Sequence, residues 1–443
     1  MISSQWQVKG ALYQEYANPM AVFVSNLMEE VRSIPYNREA IPQESLDLAN
    51  KFRTSLFPWR GQFSPELVEI LLNQYSNGDS IILDPFVGSG TTLFEASRKE
   101  LECYGAEINP SAIEMAKTVQ FAVYPLAERK RLIHRARIQV EKSFRPFIRD
   151  LFSYQDCEQP GEQERTDNSW EVSLKTMLKE VQDEPLVHNI LVNALIRYMN
   201  YRPSRQQADL FHALWEHAKI IESMPYTQRE CRVFHTDARS IPLPDKSIDL
   251  VITSPPYINV FNYHQNNRAA MELVGWNLLE IARSEIGSNR KNRQNRFLTV
   301  IQYALDMLDM LQEIQRLLRL DGRAIIVVGR ESNVRGISFK NGRLVAALAS
   351  GGSGFRLDML QERKFINKFG EMIYEDILHL VPDCEKKILD HSFARFVAVW
   401  SLLEAAKIAN EQVIDEILEA IERADMVQKS PYYQPEVASG HDL

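Results

Sequence analysis

The chain of 443 residues is 45% apolar, long enough for a sizeable core and two or three domains, and its formal net charge of −8 weighs against a surface that is basic throughout. No apolar run approaches the roughly 18 residues that span a membrane, and residues 1–6 lack a secretory pattern, so a soluble, cytoplasmic protein is expected. Cys103, Cys157, Cys231 and Cys384 are dispersed without paired spacing, which predicts neither a metal site nor a disulfide framework.

Taken in chain order, residues 1–55 carry short helical patterns, such as 21–28, that read as packing. At 63–72 the signals sharpen. Ser64 can cap a helix, Pro65 suits its first position, and apolar residues then recur at helical spacing. This helix leads into Ile81-Ile82-Leu83-Asp84-Pro85-Phe86-Val87-Gly88-Ser89-Gly90-Thr91-Thr92, a strand running into a glycine turn and then a helix over 91–99. Gly88 and Gly90 let the backbone approach a ligand closely, so a nucleotide-type ligand could sit over the turn. About twenty residues on, 103–107 read as a second strand ending in Glu107, where a carboxylate hydrogen-bonds ribose hydroxyls. No Lys follows the second glycine, as a phosphate loop requires, and the third glycine of the nicotinamide fingerprint is missing. Asn109-Pro110 repeats the cap-and-proline start of a helix.

From 120 to 230 the pattern turns helical and charged. This insertion predicts helices over 186–198 and 207–221, a loop or disordered tip at 155–169, a core position for Trp215, and a basic run of Arg129, Lys130, Arg131, Arg135, Arg137 and Lys142. The sheet resumes at 232–237. Residues 247–251 then read as a buried parallel strand that ends in Ile252-Thr253-Ser254-Pro255-Pro256-Tyr257. Two prolines remove two backbone donors, so the turn offers acceptors, the Pro255 carbonyl and the Ser254 hydroxyl. Such a turn suits a neutral NH2 group, and Tyr257 offers a face on which a heterocyclic base could stack. The same residues would also serve a plain Pro-Pro turn with a packed tyrosine.

The following segment, 259–297, is long, polar and aromatic, and it concentrates positive charge at Arg283, Arg290, Lys291, Arg293 and Arg296. A long amphipathic helix is predicted over 298–320, ended by Asp321-Gly322 before a strand at 323–329. Residues 355–364 and 375–381 can form an antiparallel pair, approached by a flexible 350–354. The tail from 391 to 427 reads as one or two amphipathic helices with Phe396, Val399, Trp400, Leu403, Ile414 and Leu418 on the apolar side, and disorder is expected from Gln428 onward.

The runs Asp84–Thr92 and Thr253–Tyr257 resemble the cofactor and catalytic motifs of the S-adenosylmethionine-dependent DNA amino-methyltransferases, which methylate cytosine N4 or adenine N6. The resemblance covers roughly residues 60–118 and 230–330. It implies an α/β fold, a doubly wound and mostly parallel sheet with a helical insertion and a helical C-terminal tail. The organisation expected is an N-terminal helical segment (1–55), the two halves of the methyltransferase domain (56–119 and 231–385), the insertion (120–230) as a candidate for target recognition, and the tail (386–443).

By resemblance, S-adenosylmethionine would occupy a pocket of Phe63, Ser64, Asp84, Pro85, Phe86, Gly88, Ser89, Gly90, Thr91, Thr92, Glu107, Asp237 and Ala238. Phe63 and Ser64 would lie at its methionine end, Glu107 on the ribose and Asp237 on the adenine amine. Ser254, Pro255, Pro256 and Tyr257 would be the catalytic group. A serine before Pro-Pro-Tyr is typical of cytosine-N4 enzymes and an aspartate of adenine-N6 enzymes, while the Pro-Cys nucleophile of cytosine-C5 enzymes is absent. The implied partners are double-stranded DNA, gripped through Arg283, Arg290, Lys291, Arg293 and Arg296, and a cognate restriction endonuclease. Adenine N6, or an RNA or protein amine, is the alternative target. The cofactor motif precedes the catalytic one, unlike in the permuted subgroup, and the largest insertion falls before Asp237, which departs from the other subgroups and leaves open which segment reads DNA.

Overall fold

Ile82 and Leu83 are neighbours on one strand, face opposite sides of it and are both fully buried, as expected of a central strand covered by helices on both faces. The computed structural model describes residues 18–48, 53–59, 61–152, 167–200, 207–258, 262–288, 292–367 and 370–434. In chain order α1 (Pro19–Ser33), α2 (Gln43–Asp47) and α3 (Pro65–Tyr75) precede β1 (Ile81–Asp84), α4 (Thr91–Arg98), β2 (Glu102–Glu107) and α5 (Pro110–Lys117). The insertion follows as α6 (Leu126–Phe152), α7 (Asp167–Lys179), α8 (Pro185–Asn200) and α9 (Gln207–Ser223), and the sheet resumes with β3 (Cys231–His235) and β4 (Ile248–Thr253). After β4 come α10 (Arg268–Val274), α11 (Leu278–Ser284), α12 (Leu298–Leu317), β5 (Leu318–Gly329) and a small hairpin of β6 (Ser332–Val334) and β7 (Ile337–Phe339). The chain ends with α13 (Asn341–Gly352), β8 (Phe355–Ile366), β9 (Met372–Pro382), α14 (His391–Ala406) and α15 (Glu411–Glu422).

The strands β3-β2-β1-β4-β5-β9-β8 form one sheet, parallel from β3 to β5 and closed by β9 and β8 in antiparallel pairing. Side chains alternate across it: Leu83, Val251, Ile326 and Val328 pack with α1 and α12–α15, whereas Ile82, Leu250, Ile325 and Val327 pack with α3–α5 and the insertion. The insertion therefore shares a core with the first half of the sheet. Among the described residues no helix is long and apolar enough to cross a membrane.

Several expectations need correction. The long helix stops at Leu317 and β5 begins at once, because Leu318 already pairs with Ile248 on β4. Residues 350–352 are the last turn of α13, where Gly351 and Gly352 allow Phe393 of α14 to approach so closely that an added Cβ would lie 2.6 and 2.4 Å from its ring. The buried face of α14 is Phe393, Ala394, Val397, Ala398, Leu402 and Leu403, leaving Phe396, Val399 and Trp400 at its border, so the expected stripe is rotated. Trp215 is 53% exposed with Lys219 over its ring, and is not core. The basic run of α6 is largely neutralised. Arg129 is buried and donates to the carbonyls of Ala122, Tyr124, Ile221, Met224 and Pro225, while Arg131, Arg135, Arg137 and Lys142 pair with Glu128, Glu184, Glu141 and Glu180. Of the expected loop at 155–169, residues 155–166 lie outside the described residues and 167–169 already belong to α7.

Candidate active site

The strand order reverses beside β1, with β2 on one side and β4 on the other, and open α/β sheets bind ligands in the crevice outside the carboxyl ends of such strands. Pairing of Leu83 with Val251 brings the ends of β1 and β4 side by side. Asp84 then bolts the two motifs together: Thr253 Oγ1 donates to its Oδ1 at 2.7 Å, Thr92 Oγ1 to its Oδ2 at 2.6 Å, and the Phe86 amide to Oδ1 at 3.0 Å. Burial pushes the Asp84 carboxyl up to about 6, with those hydrogen bonds opposing the rise.

Over this edge lies a partly open cavity. Phe63, Asp84, Pro85, Phe86, Gly88, Ser89, Thr91, Thr92, Glu107, Asp237, Ala238, Ser254 and Pro256 all line it. Gly88 has φ +52° and Gly90 φ +99°, the left-handed conformation that favours glycine. Gly90 does not reach the cavity. It starts α4, and a Cβ there would lie 2.9 Å from both Ala116 and Phe94. Glu107 Oε2 accepts the Gly88 amide at 3.1 Å and Oε1 accepts those of Ile108 and Asn109 at 2.9 and 2.8 Å. Burial pushes its carboxyl up to about 7 against these bonds. Ser64 and Tyr257 line the neighbouring groove, and Ser64 Oγ donates to Glu66 rather than capping α3.

Asp237 reaches the cavity with its carboxylate already engaged. Oδ1 accepts the Arg239 amide and Nε at 3.0 and 2.8 Å, and Oδ2 accepts Arg239 Nη2 at 2.7 Å and the Tyr433 amide at 2.9 Å. That uses the roughly four lone-pair sites of a carboxylate, so an adenine amine would have to share an acceptor. Arg239 also donates to Asp306 and to the carbonyls of Ser430 and Pro431, and Asp306 accepts the Ser430 amide and hydroxyl. Residues 428–434 are thus docked beside Asp237 at the cavity, which corrects the expectation of disorder there; 435–443 lie outside the described residues.

The segment after Tyr257 also folds over the cavity. Tyr263, Ser284, Glu285 and Ile286 line it, Tyr263 stacks on Trp59 at 6.3 Å between ring centres, and Asn109 Nδ2 donates to the Tyr263 carbonyl. Glu285 fixes the turn by accepting the His264 amide and meeting its Nδ1 at 2.7 Å. The sequence reading did not single out Trp59, Gln62 or Glu285 as cavity residues, and Phe57-Pro58-Trp59, an aromatic run just ahead of Phe63, was the available signal. Of the basic candidates, Arg283 and Arg293 are exposed and line a broad groove with Arg268 and Trp276, Arg296 is half-buried, and Arg290 and Lys291 lie outside the described residues.

A parallel sheet reversing beside β1, closed by an antiparallel pair and carrying a glycine turn after β1 and an acid after β2, is the class I methyltransferase fold. Residues 14–118 match the family model described as DNA methylase. Over 90 residues the chain is 34% identical to the type II methyltransferase M.MjaII of Methanocaldococcus jannaschii, a stretch that is 19% of this chain and 17% of that protein. The chain is thus similar to DNA methylases over residues 14–118, and it spans 17% of the length of the curated relative it matches. Solved structures with a distant likeness include a SAM-dependent methyltransferase from Methanosarcina mazei (13% identical, 72% of this chain and 98% of that one, TM-score 0.31) and the PH0226 protein of Pyrococcus horikoshii (11%, 76% and 97%, TM-score 0.32).

The cofactor this family implies is S-adenosylmethionine, and the cavity fits it. Glu107 presents a carboxylate oxygen with one backbone donor, and Phe86 and Pro256 supply apolar walls.

Proposed function

We propose that this protein transfers the methyl group of S-adenosylmethionine to an exocyclic amine of a DNA base, and that the amine is N4 of cytosine. The observation that supports this reading most is the position of Ser254, which lines both the cofactor cavity and a second, larger groove beside Tyr257, Arg363 and Glu375. Bound in the first cavity, the cofactor supplies an electrophilic methyl on a sulfonium. A base in duplex DNA reaches it only when flipped out of the stack, and the second groove is where Tyr257 could receive that base. Ser254 Oγ and the Pro255 carbonyl accept the two amine hydrogens, which localises the nitrogen lone pair and directs it at the methyl. No covalent intermediate is needed; position and electrostatics carry the step. The serine before Pro-Pro-Tyr supports cytosine, and the match to a type II methyltransferase supports site-specific modification alongside a restriction partner.

The test is transfer of tritium from labelled cofactor to duplex DNA and to RNA, followed by digestion and identification of the labelled nucleoside. N4-methylcytosine is expected. N6-methyladenine would replace the cytosine assignment, and label in RNA but not DNA would overturn the DNA reading.

A further inference from the structure

Four side chains in the groove beside the cofactor cavity form a chain that the mechanism above uses only at one end. Antiparallel pairing of β5 with β9 sets Gly329 opposite Glu375. Gly329 allows the Tyr257 ring to lie against β5, since a Cβ there would be 2.8 Å from Cε2. The phenol donates to Glu375 Oε1 at 3.5 Å and stands 3.3 Å from Ser254 Oγ. Arg363 Nη1 donates to Glu375 Oε2 at 3.0 Å, with the two side chains only 5% and 14% exposed. A buried ion pair of this kind contributes little net stability, because desolvation offsets its attraction.

The direction of these bonds follows from the donor inventory. An ionised carboxylate only accepts, so the Tyr257 proton points at Glu375, which leaves the phenolic oxygen as an acceptor for the Ser254 proton. The Ser254 lone pairs are then free for the substrate amine. With the direction reversed, Ser254 would donate to the amine nitrogen and engage the lone pair that must attack.

We propose that Glu375, held by Arg363, is a positioning residue that acts through the Tyr257 hydroxyl to keep Ser254 an acceptor and to receive the proton released on methyl transfer. This rests on the methyltransferase reading above. Methylation leaves a cationic amine. Its N–H bond breaks as a Ser254 O–H bond forms, the Ser254 proton passes to Tyr257 and the Tyr257 proton to Glu375. The cation and the carboxylate become a neutral amine and a neutral acid, and Glu375 then returns the proton to water in the groove. Tyr257 is neutral before and after, in keeping with a phenol held above its ordinary range first by burial and then by Glu375.

The experiment measures single-turnover methyl transfer by Tyr257→Phe, Glu375→Gln and the double variant, with cofactor affinity from calorimetry. Each single variant is expected to be slower by roughly 100-fold or more, with cofactor affinity kept. The double variant should be no slower than the slower single, because both cut one chain. Glu375→Asp, which keeps the carboxylate, should recover much of the rate that Glu375→Gln loses. Unchanged rates, effects that multiply, or loss of cofactor binding in Glu375→Gln would overturn the proposal. A separate arm needs no substrate: the ring-carbon NMR signal of Tyr257, assigned by its loss in Tyr257→Phe, should shift in Glu375→Gln. No shift removes the contact and with it the proposal, whereas a shift in a protein that methylates no DNA would locate the failure in the functional reading.

Discussion

The two ends of the cofactor cavity are built in different ways. At the Ser254 end, two short runs meet because β1 and β4 are neighbours, and a single carboxylate, Asp84, joins them through Thr92 and Thr253. At the Asp237 end, Asp237, Arg239, Asp306, Ser430 and Tyr433 form one network gathered from the turn after β3, from α12 and from the docked tail. The first end depends on local motifs and the second on a long-range closure. The first should therefore govern the chemical step and the second the hold on the cofactor.

The sharpest way to separate the ends is Ser254→Ala. Turnover should fall roughly 100-fold or more, as when a positioned hydrogen-bonding group is lost, while calorimetry finds cofactor affinity kept; unchanged turnover would remove Ser254 from the mechanism. The opposite pattern is expected at the Asp237 end. A chain ended after Val427, or Ser430→Asp set against the Asp306 carboxylate, should bind S-adenosylmethionine about tenfold more weakly, with the rate at saturating cofactor little altered. By reciprocity the cofactor should slow tryptic cleavage at Lys429, which Asp309 holds at 2.7 Å. Equal cofactor affinity in the shortened chain would make the tail a bystander.

A smaller effect should appear in the dependence of stability on pH. In the folded, cofactor-free chain the carboxyls of Asp84 and Glu107 are raised to about 6 and about 7 from ordinary values of 3.8 and 4.5. The folded state thus binds more protons than the unfolded one between those values. The stabilisation is fully present below the ordinary values and is lost as pH rises through about 7. The melting temperature of the free protein should fall by a few degrees over that range, and Glu107→Gln should flatten the upper part of the fall. A Glu107→Gln curve parallel to the wild type would refute the assignment. The smallest expected change is in DNA grip: Arg283→Ala and Arg293→Ala should each lower the slope of log K against log salt by about one. An unaltered slope would make both residues part of a solvated face.

The sequence was most informative where function is carried by a strand end and the turn after it. Asp84, Gly88, Glu107 and Ser254 come to one cavity because parallel strands deliver their carboxyl ends to one edge, a rule that needs no side-chain detail. It was least informative where one element buries another. The Gly351-Gly352 pair read as flexible because glycine marks loops, and only the approach of Phe393 shows these glycines making room for a helix. Arg129 read as part of a basic run until the fold collected five carbonyls around it.

The sequence by itself determined the strand-and-turn motifs, the alternation of the sheet and the chemistry of the Ser254 turn, since each depends on residues adjacent in the chain. Tertiary structure alone decided that Tyr433 closes on Asp237, that Trp59 and Tyr263 meet over the cavity, and that Glu375 stands behind Tyr257. These contacts link positions 196, 204 and 118 residues apart, and their partners are fixed by the packing of separate elements, which no local pattern of residue types encodes.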